Sequence, residues 1–241
     1  MKYFFLSFLF VSIFAACNDE EEQPDILTGL IAYMPLNGAA YDSVSATTGT
    51  IHEATPAPDR NGAAGQAMQF AGNDSSYIDF GDLEGASFPE NIFTISCWIR
   101  AADTTSTLSV LSKRTDTGPF EYSMDNHFNI RSLNLDNWVP NGAGTVYGID
   151  PLDASVPVKP GIWQHIAFVA DGELLRAYAD GVLQGATDVR QAGMSFGNTT
   201  APFVIGRGGA FGVNHYFNGA IDEVRLYNRV LDAEAVRALV E

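Results

Sequence analysis

The stretch from Trp163 to Gly181 reads WQHIAFVADGELLRAYADG and decides the fold class. Apolar side chains alternate with others over 163–170 and 174–179, which is the period of a β-strand with one face buried. An Asp-Gly pair follows each run, at 171–172 and at 180–181. Asp-Gly favours the two-residue turns of β-hairpins, because both residues tolerate positive φ. The stretch therefore predicts two hairpins in series.

Short runs of the same kind, separated by Gly, Asn and Asp, recur along the chain at 30–34, 67–70, 77–80 and 93–100. In the last run, one strand face carries Phe93, Ile95, Cys97 and Ile99. The Cys97 thiol is therefore predicted to lie in the core as a small apolar side chain. Runs of this length with tight turns between them indicate an all-β sandwich or barrel.

A single helix is predicted, a short one near the C terminus with Asp232 as its N-cap. Residues 131–160 contain four prolines and several glycines and are predicted to form long loops. Hydrophobic residues make up 46% of the chain, which is enough for a substantial core. We find no repeat and no interior linker, so residues 29–241 are predicted to form one domain.

Residues 1–16 have the form of a secretory signal peptide, with a positive charge at Lys2 and an apolar run over 4–14. The run is shorter than the about 20 residues that a membrane-spanning helix needs. The sequence FAAC at 14–17 resembles the lipobox of bacterial lipoproteins, although that pattern usually begins with Leu. The resemblance implies that Cys17 becomes the mature N terminus and carries diacylglycerol and a further acyl chain such as palmitate. The alternative is a plain secretory signal followed by an incidental cysteine.

Residues 17–28 follow as an acidic segment that begins CNDEEEQPD. A charge run of this kind buries no apolar surface and is predicted to be a disordered tether. An acidic cluster directly after the lipidated cysteine resembles the export tag of Bacteroidota-type surface lipoproteins. The resemblance implies a lipid anchor in the outer membrane with the protein facing the cell exterior. The alternative is a solvated linker without a sorting role.

Acidic residues dominate the composition, with 29 Asp and Glu against 13 Lys and Arg and a net charge of −16. Loss of residues 1–16 removes only Lys2 and brings the charge to −17. Such a surface repels the phosphates of nucleic acids, so no nucleic-acid partner is expected. Only two cysteines exist, and with Cys17 lipidated, Cys97 has no partner for an intrachain disulfide.

An ordered set of signposts covers the predicted domain and resembles the bacterial form of the LamG-like jellyroll domain of the concanavalin A-like lectin/glucanase superfamily. The signposts are LIAYMPLNG at 30–38, Asp42-Ser43, GQAMQFAG at 65–72, FTISCWIR at 93–100, WQHIA at 163–167, YADG at 178–181, Ile205-Gly206 and FNGAIDEVRLYNRVL at 217–231. The resemblance implies a two-sheet antiparallel jelly-roll sandwich with one concave sheet. It implies no single function, because this fold carries lectins, glycosidases and adhesion modules.

Catalysis is not indicated by the sequence. Glycosidases of this superfamily carry a Glu-x-Asp-x-Glu run, which is absent here. The nearest candidates, Glu121 and Asp125, share one strand face but stand about 13 Å apart, beyond the roughly 5–9 Å of a glycosidase pair. They are expected to be surface carboxylates. The four histidines lack metal-ligand spacing.

One structural calcium ion is the cofactor that the resemblance implies, held by an Asp of the final strand and by oxygens near the start of the domain. The candidates are Asp222, with Asp42 or the loop residues Asn73 and Asp74 as partners. Calcium takes six to eight oxygen ligands, which acidic turns supply. The alternative is that Asp222 caps a turn through hydrogen bonds to the backbone.

Sugar recognition uses an aromatic platform together with amide, carboxylate or Arg groups. Two loop segments offer such residues: Trp138 with Asn134, Asp136 and Asn137, and a second set of Arg207, Phe211, Asn214, His215 and Tyr216. The alternative for each is a buried anchor of its loop.

The leading hypothesis is a non-catalytic, lipid-anchored surface module that binds a glycan or glycoprotein. A structural or adhesive lipoprotein that binds another protein is the second hypothesis, and a divergent glycoside hydrolase is the third. An aromatic strip on the concave face favours the first, a featureless face favours the second, and two facing carboxylates favour the third.

Overall fold

The structure is a computed structural model that describes residues 23–115, 120–126, 132–136, 138–140, 146–148, 153–190, 196–197, 199–210 and 213–241. Strand formation dominates these residues, with one short helix at the C-terminal end. The first strands are β1 (Leu30–Met34), β2 (Thr50–His52), β3 (Thr55–Ala57), β4 (Ala67–Ala71), β5 (Tyr77–Asp79), β6 (Ile92–Ala101) and β7 (Ser109–Arg114). The middle of the chain forms β8 (Phe120–Asp125), β9 (Ser132–Asp136), β10 (Trp138–Pro140), β11 (Val146–Gly148), β12 (Val156–Pro157) and β13 (Gln164–Asp171). The last elements are β14 (Leu174–Ala179), β15 (Val182–Asp188), β16 (Phe203–Ile205), β17 (Arg207–Ala210), β18 (Val213–Tyr216), β19 (Asn218–Tyr227) and the helix α1 (Ala233–Ala238).

Two antiparallel sheets form the body of the domain. The eight-stranded sheet has the order β15-β14-β13-β6-β19-β4-β3, and β1 also pairs with β19. The seven-stranded sheet has the order β12-β9-β8-β7-β16-β5-β2. Neighbours in space come from distant parts of the chain, as a jelly-roll requires. The predicted all-β, two-sheet antiparallel sandwich is confirmed.

The core lies between the two sheets and follows the alternation of the strands. Phe93, Ile95, Cys97 and Ile99 of β6 are buried in one apolar cluster with Phe168 of β13, as predicted. Burial raises the pKa of the Cys97 thiol far above its usual range, so the thiol stays protonated. Each large apolar side chain buried in this way contributes about 1.5–3 kcal/mol to the free energy of folding.

The two Asp-Gly pairs form different turns. Asp180 and Gly181 both have positive φ, 49° and 74°, and Ala179 pairs with Val182 across a two-residue turn, as predicted. Asp171 instead remains in β13, where it pairs with Ile92, and only Gly172 has positive φ. The Asp171 carboxylate accepts hydrogen bonds from the backbone N–H groups of residues 173 and 174. The last pair across this hairpin is Ala170 with Leu175, so four residues separate the paired positions, where the sequence predicted a two-residue turn.

The prediction of long loops over 131–160 was wrong for part of that range, which forms the short strands β9 to β12. Leu133 and Leu135 alternate with polar residues and are buried in the core. Their strand, β9, pairs with β8. Pro140 and Pro157 each stand at the end of a short strand, where the missing N–H interrupts little pairing.

The helix α1 covers part of the outer face of the eight-stranded sheet. Asp232 is its N-cap, as predicted, because its carboxylate accepts the N–H groups of Glu234 and Ala235. Val236 packs in a second apolar cluster with Tyr227 of β19. None of the helices in the described ranges is long and apolar enough to span a bilayer.

Candidate functional site

A row of three side chains on the outer face of the seven-stranded sheet forms the floor of the candidate site. Val204 of β16 pairs with Asp79 of β5 on one side and with Ser112 of β7 on the other. Their sequence neighbours, such as Ile78 and Leu111, point into the core. Strand alternation therefore turns the three side chains of the row to the outer face.

A second row, formed by His52, Tyr77 and Arg207, runs beside the first. The rings of His52 and Tyr77 stack with their centres 4.2 Å apart. Arg207 places its guanidinium carbon 4.7 Å from the centre of the Tyr77 ring. A guanidinium over an aromatic ring is attracted by the ring quadrupole. Tyr77 thus holds Arg207 on this face of the sheet.

The β17–β18 hairpin leaves the seven-stranded sheet at Gly206 and lies over the outer face of β7 and β8. Gly206 has φ of 87°, and a Cβ there would overlap the ring of Phe70. At Gly208, a Cβ would overlap Ser109 Oγ and lie 2.9 Å from Ser123 Oγ. The two glycines therefore allow the chain to turn and the hairpin to press against the sheet.

Between the hairpin and the sheet lies a pocket of about 180 Å³, lined by Tyr77, Asp79, Ser112, Arg114, Arg207 and Gly208 among others. Ser112 Oγ donates a 2.9 Å hydrogen bond to the carbonyl oxygen of Arg207. The Arg114 side chain is only 5% exposed. The pocket thus offers guanidinium donors, a carboxylate acceptor and a hydroxyl that, with its hydrogen bond donated to Arg207, is left as an acceptor.

Buried polar groups surround Asp125 under the hairpin. Asp125 accepts a 2.9 Å hydrogen bond from Ser123 Oγ, and its carboxylate lies 3.9 Å from Arg114 Nη1. His215 Nδ1 lies 3.9 Å from the same carboxylate. A guanidinium, an imidazole and a hydroxyl thus surround the Asp125 carboxylate, and Arg114 connects this buried set to the pocket.

The glycan-binding residues predicted from sequence are brought together only in part. The β17–β18 hairpin carries Arg207, His215 and Tyr216, and Arg207 alone of these lines the pocket. Asn137 and Phe211 lie outside the described residues. The structure describes Asn134, Asp136, Trp138 and Asn214 as members of β9, β10 and β18, but not the surroundings of their side chains.

Sequence reasoning missed four of the lining residues: Tyr77, Asp79, Ser112 and Arg114. They come from two strands that are far apart in the chain and lie either side of β16. Strand alternation would have predicted that Tyr77 and Asp79 share a face. Only the order of strands in the sheet, which could not be predicted from sequence, brings these two residues close to Arg114.

The calcium candidates lie at three places. Asp42 is buried, and its carboxylate accepts backbone N–H groups from Tyr33 and Val44, at 2.8 and 3.0 Å, and hydrogen bonds from Ser45. Asp42 thus stabilises the turn after β1, the role considered as an alternative for Asp222. Asn73 accepts the N–H of Ser75 in the loop after β4, and Asp74 lies beside it in that loop.

Asp222 is 98% buried on β19, on the outer face of the eight-stranded sheet, and its Oδ1 has no hydrogen-bond partner among the described residues. Burial, followed by repulsion from Glu223, raises the pKa of Asp222 to about 7. Arg60 Nη1 lies 3.8 Å from its other oxygen. Within the part of the chain that the structure describes, no three His, Cys, Asp or Glu side chains cluster as metal ligands. Calcium remains a prediction, since one unpartnered carboxylate oxygen falls short of its six to eight ligands.

The expectation that Glu121 and Asp125 are surface carboxylates was wrong, because both are buried. Glu121 accepts hydrogen bonds from Ser87 Oγ and Thr199 N, at 3.0 and 2.8 Å, and lies 3.6 Å from Lys113 Nζ. Asp125 has the separate partners described above. Each carboxylate is therefore held in its own polar cluster.

Comparison with known protein families places the chain in one of them. Residues 71–237 match Laminin_G_3, described as the concanavalin A-like lectin/glucanases superfamily. The chain belongs to the Laminin_G_3 family. The match begins after the predicted domain start at residue 29 and ends shortly before the C terminus.

Relatives of this Laminin_G_3 chain are distant. Pappalysin-1 of Mus musculus is 26% identical over 169 residues, which are 67% of the chain but only 10% of the mouse protein. Domain 4 of AbnA, a GH43 extracellular arabinanase of Geobacillus stearothermophilus solved with arabinotriose, has a TM-score of 0.64 and 21% identity. That match covers 88% of this chain and 98% of the AbnA domain. The binding domain of Paraclostridial Mosquitocidal Protein 1 also has a TM-score of 0.64, with 14% identity and 88% and 52% of the two chains covered. At these identities the solved structures support the fold.

Proposed function

We propose that the chain is a non-catalytic carbohydrate-binding module and that the pocket between the β17–β18 hairpin and the seven-stranded sheet is its binding site. The observation that carries this proposal is the convergence of Arg114, Arg207, Asp79 and Ser112 on one pocket. Sugar hydroxyls donate and accept hydrogen bonds at once, so a site with both kinds of group suits them.

The size of the pocket indicates how much of a glycan it encloses. At about 180 Å³, it is smaller than the roughly 300–1,000 Å³ sites that enclose drug-sized ligands. The pocket therefore takes one unit of an oligosaccharide, and the rest of the chain lies along the sheet. His52, stacked on Tyr77, borders this path with aromatic surface.

Two of the comparisons support a binding role. The AbnA domain of the same fold was solved with arabinotriose, and the mosquitocidal protein domain is named a binding domain. Catalysis has no comparable support, because Glu121 and Asp125 are held in separate polar clusters. The proposal is therefore a module that captures glycan without cleaving it.

The anchor forms part of the proposal: Cys17 is lipidated, and the acidic segment after it directs the protein to the outer face of the outer membrane. The first described residues run beside α1, where Asp25 lies 3.6 Å from Arg229 and Tyr227 donates to the carbonyl of Ile26. This is the outer face of the eight-stranded sheet, whereas the pocket lies on the outer face of the other sheet. A tether attached there would hold the pocket away from the bilayer.

A blocking variant tests the site. Val204 lines the pocket, so Val204→Trp places an indole in it. The matched control is Val182→Trp on β15, where Val182 is 62% exposed. With full-length protein in neutral detergent micelles on a glycan array, we expect Val204→Trp alone to lose binding. Unchanged binding by Val204→Trp, or no binding by the parent protein, would contradict the proposal.

The anchor is tested in cells. We expect radiolabelled palmitate to be incorporated into the parent protein and not into Cys17→Ser, with Cys97→Ser as the control. External protease should digest the parent protein in intact cells. Labelling of Cys17→Ser would exclude this anchor, and protection from protease would exclude the outward orientation.

A further inference from the structure

The charge of the pocket contrasts with the charge of the protein. The chain has 13 basic residues against 29 acidic ones. Two of the 13, Arg114 and Arg207, nevertheless line one small pocket, and among the described residues that line it Asp79 is the only one with a carboxylate. These described lining residues therefore carry more positive than negative charge on a strongly acidic protein.

We infer that the pocket binds an acidic sugar unit, with Arg114 and Arg207 as the groups that bind its carboxylate or sulfate. This inference rests on the proposed function and specifies the class of ligand. A planar guanidinium matches the two oxygens of a carboxylate or the oxygens of a sulfate in a bidentate arrangement. A neutral sugar has no anionic group to offer such a pair of guanidinium groups.

Arg114 supplies the buried half of the site. Its side chain is 5% exposed on β7, and it lines the pocket beside Ser112. Shielding from water strengthens its attraction for an anion, because the effective dielectric constant there is lower than in solvent. The carboxylate of Asp125 lies 3.9 Å from Arg114 Nη1, and Asp125 is also tied to Ser123. Asp125 thus offsets part of the charge of Arg114 from outside the pocket lining.

Arg207 supplies the exposed half and is already positioned. Its guanidinium lies over the Tyr77 ring, and its carbonyl oxygen accepts the hydrogen bond from Ser112. Asp79, the acidic group in the lining, accepts the N–H of Gly81 at 2.7 Å. A side chain held in place before binding loses less conformational entropy when the ligand arrives. The two guanidinium groups therefore form a site prepared for an anion.

The test compares acidic oligosaccharides with neutral counterparts by calorimetry on the full-length protein in neutral detergent micelles. The pairs are trigalacturonate with galactotriose, 3′-sialyllactose with lactose, and sulfated lactose with lactose. The first two pairs report on a carboxylate and the third on a sulfate. We expect at least one acidic probe to bind about tenfold or more tightly than its neutral partner, as charged hydrogen bonds allow.

Arginine variants complete the test. Arg207→Gln and Arg114→Gln should each weaken acidic-probe binding by about tenfold to a hundredfold, and Arg207→Lys should restore part of the loss. Arg190→Gln is the matched control, since Arg190 is 55% exposed and forms an ion pair with Asp188 of the eight-stranded sheet. Thermal unfolding checks that each variant folds. If Arg114→Gln does not fold, the comparison of Arg207→Gln with Arg207→Lys is the test of the inference.

The outcomes separate the two proposals. Equal binding of acidic and neutral probes, with no effect of the Arg207 variants, would overturn the acidic-sugar inference and leave the carbohydrate-binding module standing. Binding of neither class of probe, here and on the array, would overturn both.

Discussion

The guanidinium carbon of Arg207 lies 4.7 Å from the centre of the Tyr77 ring. Tyr77 belongs to β5, and Arg207 follows β16, which is the neighbouring strand. His52 stacks on the same tyrosine from β2, the strand on the other side of β5. One aromatic ring thus links a residue of the hairpin to two strands of the sheet and holds the guanidinium at the pocket.

Replacement of Tyr77 tests this link. A cation–π contact contributes about 0.5–2 kcal/mol, so Tyr77→Leu should weaken binding of an acidic oligosaccharide by about twofold to thirtyfold. Tyr77→Phe keeps the ring and should retain most of the affinity. Calorimetry measures both, and equal losses for the two variants would show that the ring does not position Arg207.

Gly208 governs how closely the hairpin approaches the sheet. A methyl group there would overlap Ser109 Oγ, so Gly208→Ala should displace the hairpin and lower glycan affinity about tenfold or more. Ser109→Gly, combined with Gly208→Ala, should recover part of the binding by making room. Glycan affinity and thermal unfolding measured together check this. If the single variant bound normally, the close approach would have no role in the site.

Gly206 is expected to matter for folding as well as for binding. Its φ of 87° and the nearby Phe70 ring both disfavour a side chain, so Gly206→Ala should lower the free energy of unfolding by about 2–4 kcal/mol. Urea denaturation measures the change. Gly62→Ala is the control, since Gly62 has similar positive φ but no atom within 4 Å of the added methyl group. Equal effects at the two positions would mean that the Phe70 contact adds no cost.

His165 predicts a dependence of stability on pH. Burial, with smaller effects of Arg225 and Arg60, lowers the pKa of His165 from 6.5 to about 3. In the unfolded chain, His165 therefore binds a proton near pH 6.5, whereas in the folded protein it binds that proton only near pH 3. The contribution of His165 to stability is fully present above pH 6.5 and is lost as the pH falls toward 3.

At about pH 5 the expected loss is about 2 kcal/mol, from 1.36 kcal/mol per pH unit. Urea denaturation at about pH 7.5 and about pH 5 measures it, and His165→Leu should show a smaller difference than the parent protein. His52→Gln is the control, because the His52 side chain is only half-buried in the folded protein. An unchanged difference in His165→Leu would assign the pH dependence to other groups.

The predicted calcium ion is tested at Asp222. If calcium binds the folded protein, EDTA should lower the melting temperature and added calcium should restore it, since a ligand at a hundredfold its Kd stabilises by about 2.7 kcal/mol. Asp222→Asn should remove this response. Asp74→Asn tests the loop candidate in the same way. If neither EDTA nor added calcium changed the melting temperature, a stabilising calcium ion would be excluded.

The alternation of apolar residues predicted much of the core before the strands were placed. Phe93, Ile95, Cys97 and Ile99 are buried as expected, because side-chain direction along a strand is a local property. Local signals were weaker where loops and short strands share a composition, as in β9 to β12. The first Asp-Gly turn differed because a more distant part of the chain intervenes: pairing of Asp171 with Ile92 extends β13 one residue into the expected turn.

The sequence by itself determined the strands with a clear apolar alternation, the N-cap at Asp232 and the resemblance to the concanavalin A-like fold, since these depend on residues close together in the chain. The tertiary structure alone decided the pocket. Arg207 was a candidate from sequence, but Arg114, Ser112 and Asp79 joined it only through the strand order β7-β16-β5. The physical reason is that strand alternation sets which face a side chain occupies, whereas the pairing of distant strands sets which side chains share that face.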